Sequence, residues 1–185
     1  MTNFHPDLDL ITEYAAGSLP LTQSACVSLH ISHCRRCQGI AGQLADLGAS
    51  LFEAQEPVVI GDAQLNAVLA RLEEEVPLSY AKTKKDTSNT PAILQRLMRG
   101  DFSDLNWKNI GSTLRISYLQ TGDPQHELAI YHFNAGGRIP EHTHRGSEMT
   151  LILQGGFSDA HGSYHKGDFL VRRQGDVHAP TALQS

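Results

Sequence analysis

Two clusters of side chains at metal-ligand spacing stand near opposite ends of this chain. The first is His30, Cys34 and Cys37 in the run HISHCRRC, with His5 upstream. The second is His142, His144 and Glu148 in the run EHTHRGSE, with His178 downstream. Each cluster offers four donors to one divalent ion. Two such sites on 185 residues point to two modules, each folded around its own donors.

The net charge of −5 argues against a surface that tracks nucleic-acid phosphates. A role in transcription would therefore run through another protein, without direct nucleic-acid contact. No apolar run reaches the length of a membrane span. The opening MTNFHPDLD lacks the basic and apolar regions of a signal peptide, so the expected location is the cytoplasm, with no membrane attachment. The cysteines are Cys26, Cys34 and Cys37. An odd count in a reducing compartment favours thiolates used as ligands or redox groups over disulfides.

The first third reads as helical. Leu8, Ile11, Tyr14 and Ala15 fall on one stripe, which Gly17-Ser18-Leu19-Pro20 ends. A second helix fits 21–32 with Leu21, Ala25 and Leu29 apolar, and a third fits 37–54 through Ile40, Leu44, Leu47 and Leu51. A fourth starts at an N-cap Asp62, carries Leu65, Val68, Leu69, Leu72 and Val76 on one stripe, and ends in Glu73, Glu74 and Glu75. That stripe either packs on the module's own core or leaves an edge for a partner. Residues 77–91 are polar, poor in core formers and bounded by prolines, as in an interdomain linker. After a short helix at AILQRLMRG come the runs TLRISYL, ELAIYHF, EMTLILQG and GSYHKGDFLVR, separated by turn signals. Short strands at this spacing suggest an antiparallel barrel or sandwich.

In the first cluster, H-x3-C-x2-C places His30 and Cys34 about one helical turn apart, facing the same way. Thiolate and imidazole donors favour zinc in a closed tetrahedral site. His5, able to fold back from ahead of the first helix, is the best fourth ligand. Cys26 is a rival on the same helix face, but its apolar neighbours suit a core thiol. His33 points to another face and reads as solvated. A redox reading of Cys34 and Cys37 lacks the preceding strand such motifs use. Arg35 and Arg36 would lower the thiolate pKa or meet an acidic partner.

In the second cluster, His142 and His144 are two apart and project to one face of a strand, and Glu148 returns on the next. Three imidazoles and a carboxylate suit Zn, Mn, Fe(II) or Ni.

The run Gly136-x5-His142-x-His144-x3-Glu148-x6-Gly155 resembles the first cupin motif at every marked position. The second cupin motif is matched at Gly167, Gly175 and His178; Arg173 stands where the family has Pro, and Ala182 where it has Asn. Only seven residues follow His178, so the barrel is expected to be open at one edge or the chain to be cut short. The order of modules, with the opening HPDLDLITEYAAGSL, is similar to the ChrR-type zinc-binding anti-sigma factors. That resemblance implies an α+β chain of two domains. Residues 1–76 would be a small zinc-dependent helical anti-sigma bundle, 77–91 a linker and 92–185 a cupin-type antiparallel β-barrel. It implies a first zinc on His5, His30, Cys34 and Cys37. It implies a second zinc, or another divalent transition metal, on His142, His144, Glu148 and His178. It implies that the helical domain sequesters an extracytoplasmic-function sigma factor and releases it under singlet oxygen or organic peroxide, with no catalysis. The alternative is a cupin metalloenzyme of dioxygenase or isomerase type with a regulatory helical domain. A homo-oligomer built through the cupin is left open.

Elsewhere, His126, His132, His161 and His165 read as surface or hydrogen-bonded residues, with His132 and His165 also candidates to line the barrel. Trp107 is expected to anchor the barrel core.

Overall fold

The computed structural model describes residues 2–72 and 90–184. The expected linker, apart from its last two residues, and Glu73, Glu74, Glu75 and Val76 lie outside the described residues. Among the described residues, five α-helices lie close to where the apolar periodicity places them: α1 Leu8–Ala15, α2 Leu21–His33, α3 Arg35–Glu53, α4 Asp62–Leu72 and α5 Ala92–Met98. Asp7 caps α1 by accepting the Leu10 N–H at 2.8 Å. Gly17 then supplies the positive φ of +70° that turns the chain toward α2.

A single residue separates α2 from α3. Cys34 is extended (φ −111°, ψ 104°) and serves as C-cap of one helix and N-cap of the next. The helix that was expected to begin at Cys37 therefore begins at Arg35, and Cys37 sits inside its first turn. This one kink lets His30, Cys34 and Cys37 face a common point.

The strand-rich half holds ten short strands: β1 Lys108–Ile110, β2 Leu114–Leu119, β3 Leu128–Phe133, β4 His142–Thr143, β5 Glu148–Leu151, β6 Gly156–Asp159, β7 Gly162–His165, β8 Phe169–Arg172, β9 Val177–His178 and β10 Thr181–Ala182. All pairings are antiparallel: β1-β2-β3, β10-β6-β7, β4-β9 and β5-β8. The residues after His178 do make a strand, since β10 pairs with β6. The described strands form four separate antiparallel sheets.

Packing explains which apolar residues turn inward. Leu10 and Val27 bury against Phe169 of β8, with Met149 and Leu151 of β5 packed around them. Leu29 of α2 buries with Leu94 and Met98 of α5. Ile11 buries instead with Cys34 and Cys37, supported by Ile40 and Leu44. Leu8 and Leu21, expected on inner stripes, are exposed. The inner faces of α1 and α2 are rotated because these helices meet the strand-rich half as well as each other. Trp107 also departs from expectation. It does not join the core but donates its indole N–H to the Phe102 carbonyl (3.1 Å) and lies under the Arg115 guanidinium.

Phe169 joins the two halves in one cluster and is 2% exposed. Phe169→Ala is expected to cost about 3–5 kcal/mol. Urea unfolding followed by fluorescence and circular dichroism checks this; a loss under 1 kcal/mol would show that the cluster is not a shared core.

Candidate metal centres

The first centre lies where α1, α2 and the start of α3 converge. His5, His30, Cys34 and Cys37 each offer one ligand atom, all within 4.8 Å of one another. His5 Nδ1 stands 3.3 Å from His30 Nε2, 3.4 Å from Cys34 Sγ and 3.6 Å from Cys37 Sγ; His30 Nε2 stands 3.3 Å from Cys37 Sγ. A tetrahedral zinc with ordinary bond lengths would place its nitrogens about 3.3 Å apart and nitrogen from sulfur about 3.5 Å. The donor spacing and chemistry thus fit such an ion. His30 Nδ1–H donates to the Gly167 carbonyl at 2.8 Å, which leaves its Nε2 lone pair facing the cage.

The two thiols are not equivalent. Burial pushes the Cys34 thiol up, but the backbone N–H of Cys37, the Thr2 hydroxyl, the Cys37 thiol and the Arg36 N–H outweigh it and lower its pKa. Cys37 is pushed up to about 11 by burial, a hydrogen bond to Cys34 and the Cys34 charge. The sequence assigned thiolate stabilisation to the Arg35 and Arg36 side chains. The Arg36 charge does lower the Cys37 pKa, and the N–H groups in the first turn of α3 lower that of Cys34, at a helix N-terminus where anions are favoured. Binding of a divalent ion would displace protons from the thiols.

The rival ligands separate cleanly. Cys26 packs beside the Val27–Phe169 cluster, where burial raises its thiol to about 12. His33 is exposed and donates Nδ1–H back to the Leu29 carbonyl at 3.0 Å.

The second centre is built on the β4-β9 pair, whose register sets His142 opposite His178. His178 Nε2 lies 3.1 Å from His142 Nε2 and 3.0 Å from His144 Nε2. These three imidazoles form the second group of potential ligands. Glu148, at the start of β5, brings Oε2 to 3.3 Å from His144 Nε2 and 3.8 Å from His178 Nε2. That oxygen is buried without a hydrogen-bond partner, as is His178 Nδ1. Three converging ring nitrogens beside an unsatisfied carboxylate oxygen fit a divalent cation. His142 Nδ1–H donates to the Pro140 carbonyl at 2.9 Å, so its Nε2 faces inward.

A carboxylate stands behind this centre that the sequence reading did not single out. Asp159 has no exposed side-chain surface and lies 3.9 Å from His178 Nδ1. It accepts from the His161 N–H (2.8 Å), the Tyr164 hydroxyl (3.2 Å) and Arg172 Nη2 (2.9 Å). Burial alone would raise its pKa, but the His161 N–H and the Arg172 guanidinium together lower it. Nothing in the spacing of Asp159 marks it; only the β6-β7 hairpin and the β8 strand bring it to His178. His132 and His165 are exposed and line no interior. His126 bonds to Asp123 (2.9 Å) and His161 is exposed beside Asp159, as expected of surface histidines.

Fold and sites together define a class: a helical module closing a His–Cys cage, joined to a strand-rich module with an imidazole cage. The family of ChrR cupin-like domains matches residues 95–185. Anti-sigma-E factor ChrR of Cereibacter sphaeroides is 33% identical over 173 residues, covering 94% of this chain and 80% of that protein. The crystal structure of Rhodobacter sphaeroides SigE in complex with the anti-sigma ChrR contains a chain that superposes with a TM-score of 0.85. The match is 31% identical and covers 100% of this chain and 95% of that one. KdgF from Halomonas sp. is a fainter likeness, 17% identical with a TM-score of 0.41 over 45% of this chain and 80% of that one. The chain belongs to the ChrR family. No helix among the described residues is long and apolar enough to cross a membrane.

Arg172→Leu is expected to leave the Asp159 carboxylate uncompensated and to cost about 3–5 kcal/mol at neutral pH. The folded Asp159 titrates below its unfolded value, which itself lies near pH 4. Its contribution is therefore complete above that value and is lost as pH falls through the folded pKa. Unfolding free energies of parent and variant measured from pH 7 downward should converge in acid; a constant gap would refute the assignment.

Proposed function

We propose that this chain is an anti-sigma factor that sequesters an extracytoplasmic-function sigma factor in the cytoplasm and releases it under oxidative stress. One observation carries the reading: ten large apolar side chains between residues 47 and 72 are exposed. Leu47, Leu51 and Phe52 lie at the end of α3, Val58, Val59 and Ile60 follow it, and Leu65, Val68, Leu69 and Leu72 lie on α4. None of the described residues of α4 is buried. An apolar surface of this extent marks a site for a partner. The relative seen as a complex with SigE matches the whole chain, which supports a sigma factor as the occupant and a regulator rather than a cupin enzyme.

In this reading residues 1–76 form the sigma-binding domain, 77–91 a linker and 92–185 a cupin barrel. Zinc on His5, His30, Cys34 and Cys37 ties the amino-terminal segment to the α2–α3 kink and so fixes the bundle that displays α3. The donor set supports zinc through its two sulfurs and its tetrahedral spacing. Zinc or another divalent transition metal sits on His142, His144, Glu148 and His178. Inhibition is steric: the exposed apolar side chains cover the surface with which the sigma factor would bind polymerase. Reactive oxygen species alter a ligand shell or open the chain to proteolysis, and the complex separates.

Co-expression with candidate sigma factors and pull-down tests this. The parent retains one sigma factor, whereas Cys34→Ala with Cys37→Ala does not. Leu51→Asp with Leu69→Asp weakens capture at least about 100-fold while the metal content stays the same. Equal retention by all three would end the proposal. His142→Ala keeps capture but blocks release by singlet oxygen or organic peroxide. Loss of capture in that variant would place inhibition in the wrong half.

A further inference from the structure

The amino-terminal cage and the strand-rich half meet at the turn between β7 and β8. The Gly167 carbonyl accepts the Nδ1–H of His30 at 2.8 Å. Asp168, 1% exposed, accepts the Asn3 N–H (2.7 Å) and the Phe4 N–H (3.2 Å) on Oδ1, and its own turn's His165 N–H (2.8 Å) on Oδ2. The Phe169 N–H donates to the Phe4 carbonyl at 3.0 Å, and the Phe4 ring meets Tyr164 edge-on at 4.9 Å. The segment that delivers His5 is thus laid along the start of β8 by the Phe4 N–H on the Asp168 carboxylate and the Phe4 carbonyl on the Phe169 N–H.

Two of the four cage donors are therefore aimed from outside the helical bundle. His30 is 1% exposed, so its outer N–H needs an internal acceptor, and Gly167 supplies it. His5 follows directly on the two N–H groups that Asp168 holds. Gly167 adopts a φ of +91°, a backbone conformation that favours glycine.

We infer that the Gly167–Asp168 turn of the cupin domain is the outer shell of the amino-terminal metal cage, with Asp168 a positioning residue for His5 and the Gly167 carbonyl for His30. The cupin domain thereby sets how firmly the adjoining cage holds its ion. Partners of this kind change metal affinity by about 10–100-fold when removed. The inference rests on the reading above that the cage holds a divalent ion.

The test uses the full chain loaded with cobalt(II). The thiolate-to-cobalt charge-transfer band reports the Cys34–Cys37 site alone, because the imidazole cage has no sulfur. Its loss is timed after addition of excess EDTA. Asp168→Ala should speed that loss about 10–100-fold, with the visible cobalt band of the imidazole cage retained. Asn3→Pro removes one donor to Asp168 without altering the cupin domain, and should speed the loss at least about threefold, as a partial case of the same effect. Asn3→Ala keeps the N–H and should behave as the parent. A rate in Asn3→Pro within twofold of the parent overturns the inference, even if Asp168→Ala fails to fold. So does acceleration by Asn3→Ala equal to that of Asn3→Pro. A parent with no charge-transfer band overturns the metal-cage reading itself, and the inference with it.

Discussion

One imidazole joins the two halves of this molecule. His30 turns Nε2 toward His5 and Cys37 and commits Nδ1–H to a carbonyl 137 residues away. A buried ring nitrogen that keeps its proton must have an acceptor, and the acceptor fixes which lone pair is free for a ligand. The geometry of the amino-terminal cage is thus decided partly by a turn at the far end of the chain. α2 carries the same double duty in its apolar residues. Val27 packs on Phe169 and Leu29 on α5, while the far end of the helix supplies His30 to the cage.

The two cages share an electrostatic design on different materials. Each gathers more negative or lone-pair character than it can satisfy alone. In the first, the Cys34 pKa is lowered by N–H groups and neighbours while burial and Cys34 push Cys37 up to about 11. In the second, Glu148 Oε2 has no hydrogen-bond partner among three ring nitrogens. A divalent cation would resolve both situations, displacing thiol protons in one and pairing an orphaned oxygen in the other. Behind the second cage, Arg172 and Asp159 form a compensated pair that keeps a carboxylate near His178 without burying a lone charge.

The helical half has little core of its own beyond the cage, with Ile11, Cys34 and Cys37 at its centre. Packing by Ile40 and Leu44 uses the first half of α3, and the second half is left uncovered. A bundle whose donors converge at one end leaves apolar side chains free at the other. That division of labour suits a protein whose partner completes its core.

The helices, the run of short strands and most of the converging donors were legible in the sequence, because these are written in local spacing. H-x3-C-x2-C marks its own cage, and H-x-H-x3-E followed by His178 marks the other. Asp159, Arg172, Asp168 and Gly167 were not legible as supports, since their partners lie on other strands or in the other half. Trp107 was misplaced for the same reason, since its indole is held by Phe102 and Arg115 outside the core, whereas His132 and His165 are exposed, one of the two places the sequence left open to them. The stripe on α4 left packing or docking undecided, and only the fold shows its apolar residues exposed. The sequence by itself determined which side chains can bind metal and which segments form helices, since donor chemistry and helical periodicity act over a few residues. The tertiary structure alone decided how those donors are aimed, because hydrogen bonds such as His30 to Gly167 exist only once distant segments have packed.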